Sequence, residues 1–130
     1  MRLHELSVGK SPHTVRAVVV ECGPDLSVTI GGGPLPHVGA VALGVPRPSL
    51  ADSAQLSASA SVLCATGHKE DMLARHVALK LATRYDCRVQ VSVGMHIDGA
   101  TRADITAFEN NTEELLKEIC GILDGTRSLG

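Results

Sequence analysis

Three short segments hold most of the side chains that can do chemistry. They are Gly31-Gly32-Gly33-Pro34-Leu35-Pro36-His37, Thr66-Gly67-His68-Lys69-Glu70-Asp71 and Gly94-Met95-His96-Ile97-Asp98-Gly99. Each sets glycine close to histidine. Consecutive glycines can turn their N–H groups toward an anion, and imidazole can hydrogen-bond or carry a proton near neutral pH. A flexible turn between strands is the plainer reading of the glycine run, and it stays open. Lys69 falls in the first turn of an expected helix, where a cation opposes the helix dipole while Glu70 and Asp71 suit it. A cation held there favours an anionic ligand on the free N–H groups. A solvated lysine is the alternative.

His96 and Asp98 are two residues apart and face one way if extended geometry persists, so they can act as an acid–base pair. Ser49, a histidine and Asp98 supply the residue types of a triad, but no G-x-S-x-G elbow presents the serine. The glycine run is followed by no Gly-Lys-Ser/Thr and opens no helix, which excludes a P-loop and a dinucleotide fingerprint. His37, His68 and His96 could in principle meet at zinc, but no H-E-x-x-H or equivalent spacing supports it, so no metal is expected. His76 reads as an edge or interface residue of a helix, and His4 and His13 as surface histidines. The cysteines, Cys22, Cys64, Cys87 and Cys120, are far apart and sit in apolar stretches. They read as reduced small hydrophobes.

The elements that must position these segments follow from periodicity. Residues 14–22 are rich in β-branched side chains, Gly23-Pro24-Asp25 punctuates them, and 26–30 alternate cleanly, which is a hairpin signal. Residues 3–8 predict a further strand. Residues 38–44 predict a small-residue strand that another element approaches closely. Pro46-Arg47-Pro48-Ser49 reads as a loop, and 59–65 as a strand. The pattern then changes. Leu73, Val77 and Leu81, with Ala74, Ala78 and Ala82 beside them, predict a helix from Lys69 to about Arg84, capped by Gly67 with Glu70 at N3. Residues 87–93 alternate as a strand. Thr101 with Asp104 reads as a capping box for a second helical region whose stripe is Ile105, Phe108, Leu115, Leu116, Ile119, Ile122 and Leu123. Asn110-Asn111-Thr112 could restart that helix, and Asp124-Gly125 should end it. The expectation is one domain over 1–124 with a frayed tail over 125–130.

Strands first and helices later favour an α+β fold, a mainly antiparallel sheet with two helices on one face. The other face must be polar or meet a partner, and a homodimer buries it economically. At 130 residues, 44% hydrophobic and 20% charged, the chain can build a core without disulfides or metal. No apolar run is long enough to cross a membrane. The N-terminus does not read as a signal peptide, so the cytoplasm is the expected compartment. A net charge of −2 gives no field for nucleic acid, and Phe108 and Tyr85, the only aromatics apart from the histidines, give no stacking platform.

Gly-Gly-Gly-x-x-Pro-His-Val-Gly-Ala-Val-Ala-Leu (31–43), Pro-Arg-Pro-Ser-Leu (46–50), Gly-His-Lys-Glu-Asp (67–71) and His-Ile-Asp (96–98) together resemble the prenylated-flavin chaperones, the LpdD-like accessory proteins of UbiD-type decarboxylases. The resemblance spans about residues 4–123. It implies a fold similar to proteasome-assembly chaperones and a non-catalytic carrier. Such a carrier binds prenylated FMN, or FMN, in preference reduced, shields it from oxidation and passes it to a UbiD-type decarboxylase of (hydroxy)aromatic acids. The flavin prenyltransferase would be a second partner. On motif position and chemistry, the expected cargo contacts are Gly32, Gly33, His37, Arg47, Ser49, Gly67, His68, Lys69, His96 and Asp98. The glycine loop and helix start would take the phosphate, and His37, His96 and Arg47 the polar edge of the ring. A small acid–base enzyme using His96 and Asp98, or a cofactor-free assembly subunit, are the alternatives.

Overall fold

The computed structural model describes residues 1–65 and 70–127. Alternating burial builds β1 (Arg2–Val8), β2 (Val15–Cys22), β3 (Asp25–Gly32), β4 (Ala40–Pro48), β5 (Leu56–Cys64) and β6 (Val89–Met95). The two helices are α1 (Asp71–Tyr85) and α2 (Arg102–Thr126). The strands form one sheet in the order β1-β2-β3-β6-β4-β5. All neighbours are antiparallel except β3 and β6, which run parallel. The fold is α+β, as expected.

Register puts one set of side chains on one face. Ala17 lies opposite Ile30, Ile30 beside Val93, and Val93 opposite Ala40, and all are buried. α1 packs over β4, β5 and β6, and α2 over β1 and β2, so both helices cover this same face. Ala74, Val77, Ala78, Leu81 and Ala82 of α1 and Leu115, Ile119 and Leu123 of α2 complete the core. The small residues of β4 serve the close approach of α1: a Cβ on Gly44 would lie 2.6 Å from the carbonyl oxygen of Ala78. Among the described residues, no helix covers the opposite face. Leu3, Val18, Leu43, Val45 and Leu63 are exposed, with Ser27, Gln90 and Ser92 between the two apolar groups.

Several expectations need correction. Pro46-Arg47-Pro48 is the end of β4, not a loop, and pairs with Leu56–Ala58 of β5. The N–H of Ala65 donates to Gly39 and that of Ser49 to Gln55, so odd-numbered residues carry the β4–β5 hydrogen bonds. Pro46 and Pro48 occupy the alternate positions, where no N–H is needed. The helix start expected at Gly67 lies outside the described residues. The N-cap is Glu70, which makes no side-chain cap bond. The second helix is one unbroken element. Asn111 donates sideways to the His13 carbonyl at 2.8 Å and Thr112 back to that of Phe108 at 2.7 Å, so neither caps a new start. α2 also runs through Gly125, because Thr126 bonds Glu21 and the Arg127 guanidinium lies over Tyr85. Cys64 is exposed rather than a core hydrophobe.

Candidate functional site

β3, β5 and β6 all run toward one end of the sheet, and both helices begin there. That end carries the positive ends of both helix dipoles. It also carries the first and third glycine–histidine segments. A Cβ on Gly94 would overlap the His37 carbonyl, and one on Gly33 the His96 carbonyl. Gly33 sits at φ +74, a conformation side-chained residues rarely adopt. The His96 N–H donates to Gly32 at 3.2 Å and the His37 N–H to Gly94 at 3.4 Å. The glycines thus let the two segments lie one on the other. They are not an open anion cradle: Pro36 fills the space above Gly31, Met95 that above Gly32, and the Gly33 N–H is spent on Thr14 at 3.0 Å.

Three histidine–carboxylate pairs line this rim. His37 has Nδ1 3.1 Å from the Leu35 carbonyl and Nε2 3.1 Å from Glu70 Oε1. Both neighbours are acceptors when Glu70 is ionised, so an imidazolium makes both bonds at once. Glu70 Oε1 also accepts from the Met95 N–H at 3.4 Å. His96 Nε2 lies 2.9 Å from Asp98 Oδ1, and both side chains stand in solvent. The His37 and His96 rings meet edge to face with centroids 6.4 Å apart. His13 Nε2 lies 2.7 Å from Asp104 Oδ1, and its ring meets Phe108 edge to face at 5.4 Å. Asp104 also closes the capping box with Thr101. The Thr101 N–H and then His13 hold its carboxyl below the usual carboxylate range.

Sequence reasoning missed Glu70 as a partner of His37, and did not place His13 or Phe108 at the site. His13 is no surface histidine, and neither is His4, which bonds the buried Glu21 at 2.9 Å. The signal for His13 was weak: Asp104 was legible as a cap, but its second partner lies 91 residues away. Arg47 and Ser49 lie at the other end of β4. Arg47 donates to Ser59 Oγ at 2.7 Å and to the Pro48 carbonyl at 3.0 Å. Seven residues of strand separate it from Ala40, about 23 Å. A single chain therefore brings Gly32, Gly33, His37, His96 and Asp98 together and leaves Arg47 and Ser49 remote. Gly67, His68 and Lys69 lie outside the described residues.

A separate groove of about 790 Å³ runs between α1 and α2 on the outer surface, with Leu79, Leu116 and Cys120 beside Lys80 and Lys117. Among the described residues no group of three or more side chains could hold a metal ion, and no helix is long and apolar enough to cross a membrane.

The fold has a counterpart among solved structures. It matches a chain in the crystal structure of a chaperone complex for yeast 20S proteasome assembly over 95% of each chain, with a TM-score of 0.57 and 13% identity. That likeness is one of fold. Residues 9–124 match the prenylated flavin chaperone LpdD-like domain, and the chain belongs to that family. No curated protein matches its sequence.

Proposed function

We propose that the protein is a carrier of prenylated FMN. It takes the cofactor, reduced in preference, from the flavin prenyltransferase, slows its oxidation and hands it to a UbiD-type decarboxylase without turning it over. It works in the cytoplasm as a homodimer. Family membership supports the cargo, and the rim supports the place. The His37 and His96 rings offer edge-to-face surfaces and ring nitrogens to the polar edge of a flavin, in a chain with almost no other aromatic side chains. Gly32 and Gly33 shape that rim, and Asp98 orients His96. The phosphate is assigned to the sequence stretch Gly67-His68-Lys69, which precedes α1 in the chain and whose lysine favours an anion.

The experiment is the rate of air oxidation of reduced prenylated FMN with and without the protein, together with the active fraction of apo-decarboxylase reconstituted from each. Slower oxidation and a higher active fraction are expected. Equal rates and unchanged reconstitution overturn the reading. Lys69→Ala should weaken FMN on the order of 10- to 100-fold, the value of one charged hydrogen bond, and leave riboflavin nearly unchanged. Equal losses for the two ligands would move the phosphate away from Lys69.

The His96–Asp98 contact keeps one alternative in view, a small acid–base enzyme. A UbiD-linked substrate consumed by wild type and not by a His96→Ala variant that still binds prenylated FMN would favour it.

A further inference from the structure

β5 is an edge strand of nine residues, Leu-Ser-Ala-Ser-Ala-Ser-Val-Leu-Cys, with no charge and no proline. The other edge, β1, carries Arg2, His4 and Glu5. Charges of that kind keep an edge from pairing with another chain, and β5 has none of them. Its odd-numbered residues bond to β4, so the N–H and C=O groups of Ala58, Ala60 and Val62 point outward. Among the described residues no strand lies on that side. Leu63, 78% exposed, sits on the uncovered face beside this edge, next to Val41. Arg47 stands on the same face, held by two neutral acceptors, with no carboxylate among the described residues in ion-pair reach.

We infer that β5 pairs antiparallel with β5 of a second copy about a two-fold axis at Ala60, and that Arg47 and Ser49 of each copy complete the cargo site of the other. A two-fold at Ala60 uses the whole strand. It sets Ala58 against Val62 of the partner subunit, which matches outward hydrogen-bonding positions and keeps every side chain on its own face. The antiparallel arrangement brings the Arg47–Ser49 end of one copy to the rim end of the other. Across the open face the row reads Val41, Leu63, Ser57 of the partner subunit, Arg47 of the partner subunit. Arg47 of the partner subunit then lies three strand spacings from β4, about 14 Å, instead of about 23 Å along its own strand. A flavin mononucleotide is an elongated anion, and a guanidinium at that distance can meet the end that His37 and His96 do not. This assignment of the ligand rests on the carrier reading, whereas the strand pairing does not.

The test is light scattering combined with binding. The wild type should run at twice the 13.6 kDa chain mass. Ala60→Pro removes an outward N–H and spares the β4 ladder, so it should give a folded monomer by circular dichroism. Ser61→Lys, which sets like charges beside the axis, should do the same and covers a failure of Ala60→Pro to fold. Arg47→Ala and His37→Ala should each weaken prenylated FMN, and FMN as a stable probe, by about 10-fold or more. Refolding the two variants together should restore a tight-binding fraction, because a mixed dimer has one intact site. A monomeric wild type, or dimers that persist in both edge variants, overturn the strand pairing. Monomers that bind as tightly as wild type, or a mixture no better than its components, overturn the shared site. If neither probe binds any species while the masses follow expectation, the carrier reading fails and the strand pairing stands.

Discussion

Gly94 shows how much of the site depends on atoms that are missing. Any side chain there would occupy the volume of the His37 carbonyl, which is backbone and cannot swing aside. Gly94→Ala should therefore destabilise by about 3 kcal/mol, the top of the overpacking range, and displace His37. Urea denaturation checks the first effect and cargo titration the second; a variant of wild-type stability would show that the segment yields freely. Asp104 gives a second residue-scale expectation. Its folded pKa lies below the ordinary 3.8, so its contribution is present above 3.8 and is lost as pH falls through the folded value. Asp104→Asn should be less stable than wild type at pH 7, and the gap should close as pH drops below 3.8. Denaturation midpoints of the two proteins between pH 7 and pH 2.5 test this, and a gap that widens on acidification would contradict it. Much at this scale was legible. The glycine–histidine segments stood out because their residue types are rare in a strand core. Glu70 did not, because a carboxylate in a first helical turn has an adequate local explanation in the dipole. His13 did not, because its partner is distant in sequence.

The helices and strands were read from periods of 3.6 and 2, and local periodicity carries no information about which strand lies next to which. The parallel β3–β6 pair is therefore a product of packing: β6 enters between β3 and β4 after α1 has crossed the sheet. Proline misled at Pro46 and Pro48 because the pattern alone does not say on which side a strand needs its N–H groups. The buried stripe of α2 is also narrower than its apolar spacing. Ile105 and Ile122 are exposed although they continue the apolar spacing, since a 25-residue helix drifts off a strict repeat and one side of it meets β1 and β2. α1 is the tighter case. Leu81 is fully buried in the core, on a helix that packs over β4, β5 and β6. Leu81→Ala should cost about 2–5 kcal/mol, because the close backbone approach at Gly44 leaves the helix little room to collapse into the cavity. A loss below about 1.5 kcal/mol by urea denaturation would mean that α1 resettles.

At the scale of the whole molecule, the chain exposes 7363 Å², about a tenth more than the roughly 6,600 Å² that surface scaling gives for its mass. A one-layer sheet with both helices on one side accounts for the direction of that excess: among the described residues, no helix covers the face bearing Leu43, Val45 and Leu63. A protein built this way should gain stability from what it binds. If prenylated FMN binds only the folded form, a free concentration of 100 times the Kd adds about 2.7 kcal/mol to unfolding. For a chain between the small and mid-sized domains, that corresponds to a rise in Tm of roughly 10 °C. FMN should give a smaller rise, and riboflavin a smaller one again because it lacks the phosphate. Differential scanning calorimetry with each ligand, at two protein concentrations, separates the contributions. A concentration-dependent Tm without ligand reports the second copy, and the ligand increment reports the cargo. A Tm unmoved by saturating prenylated FMN would mean that the folded protein does not hold it, whatever its oligomeric state.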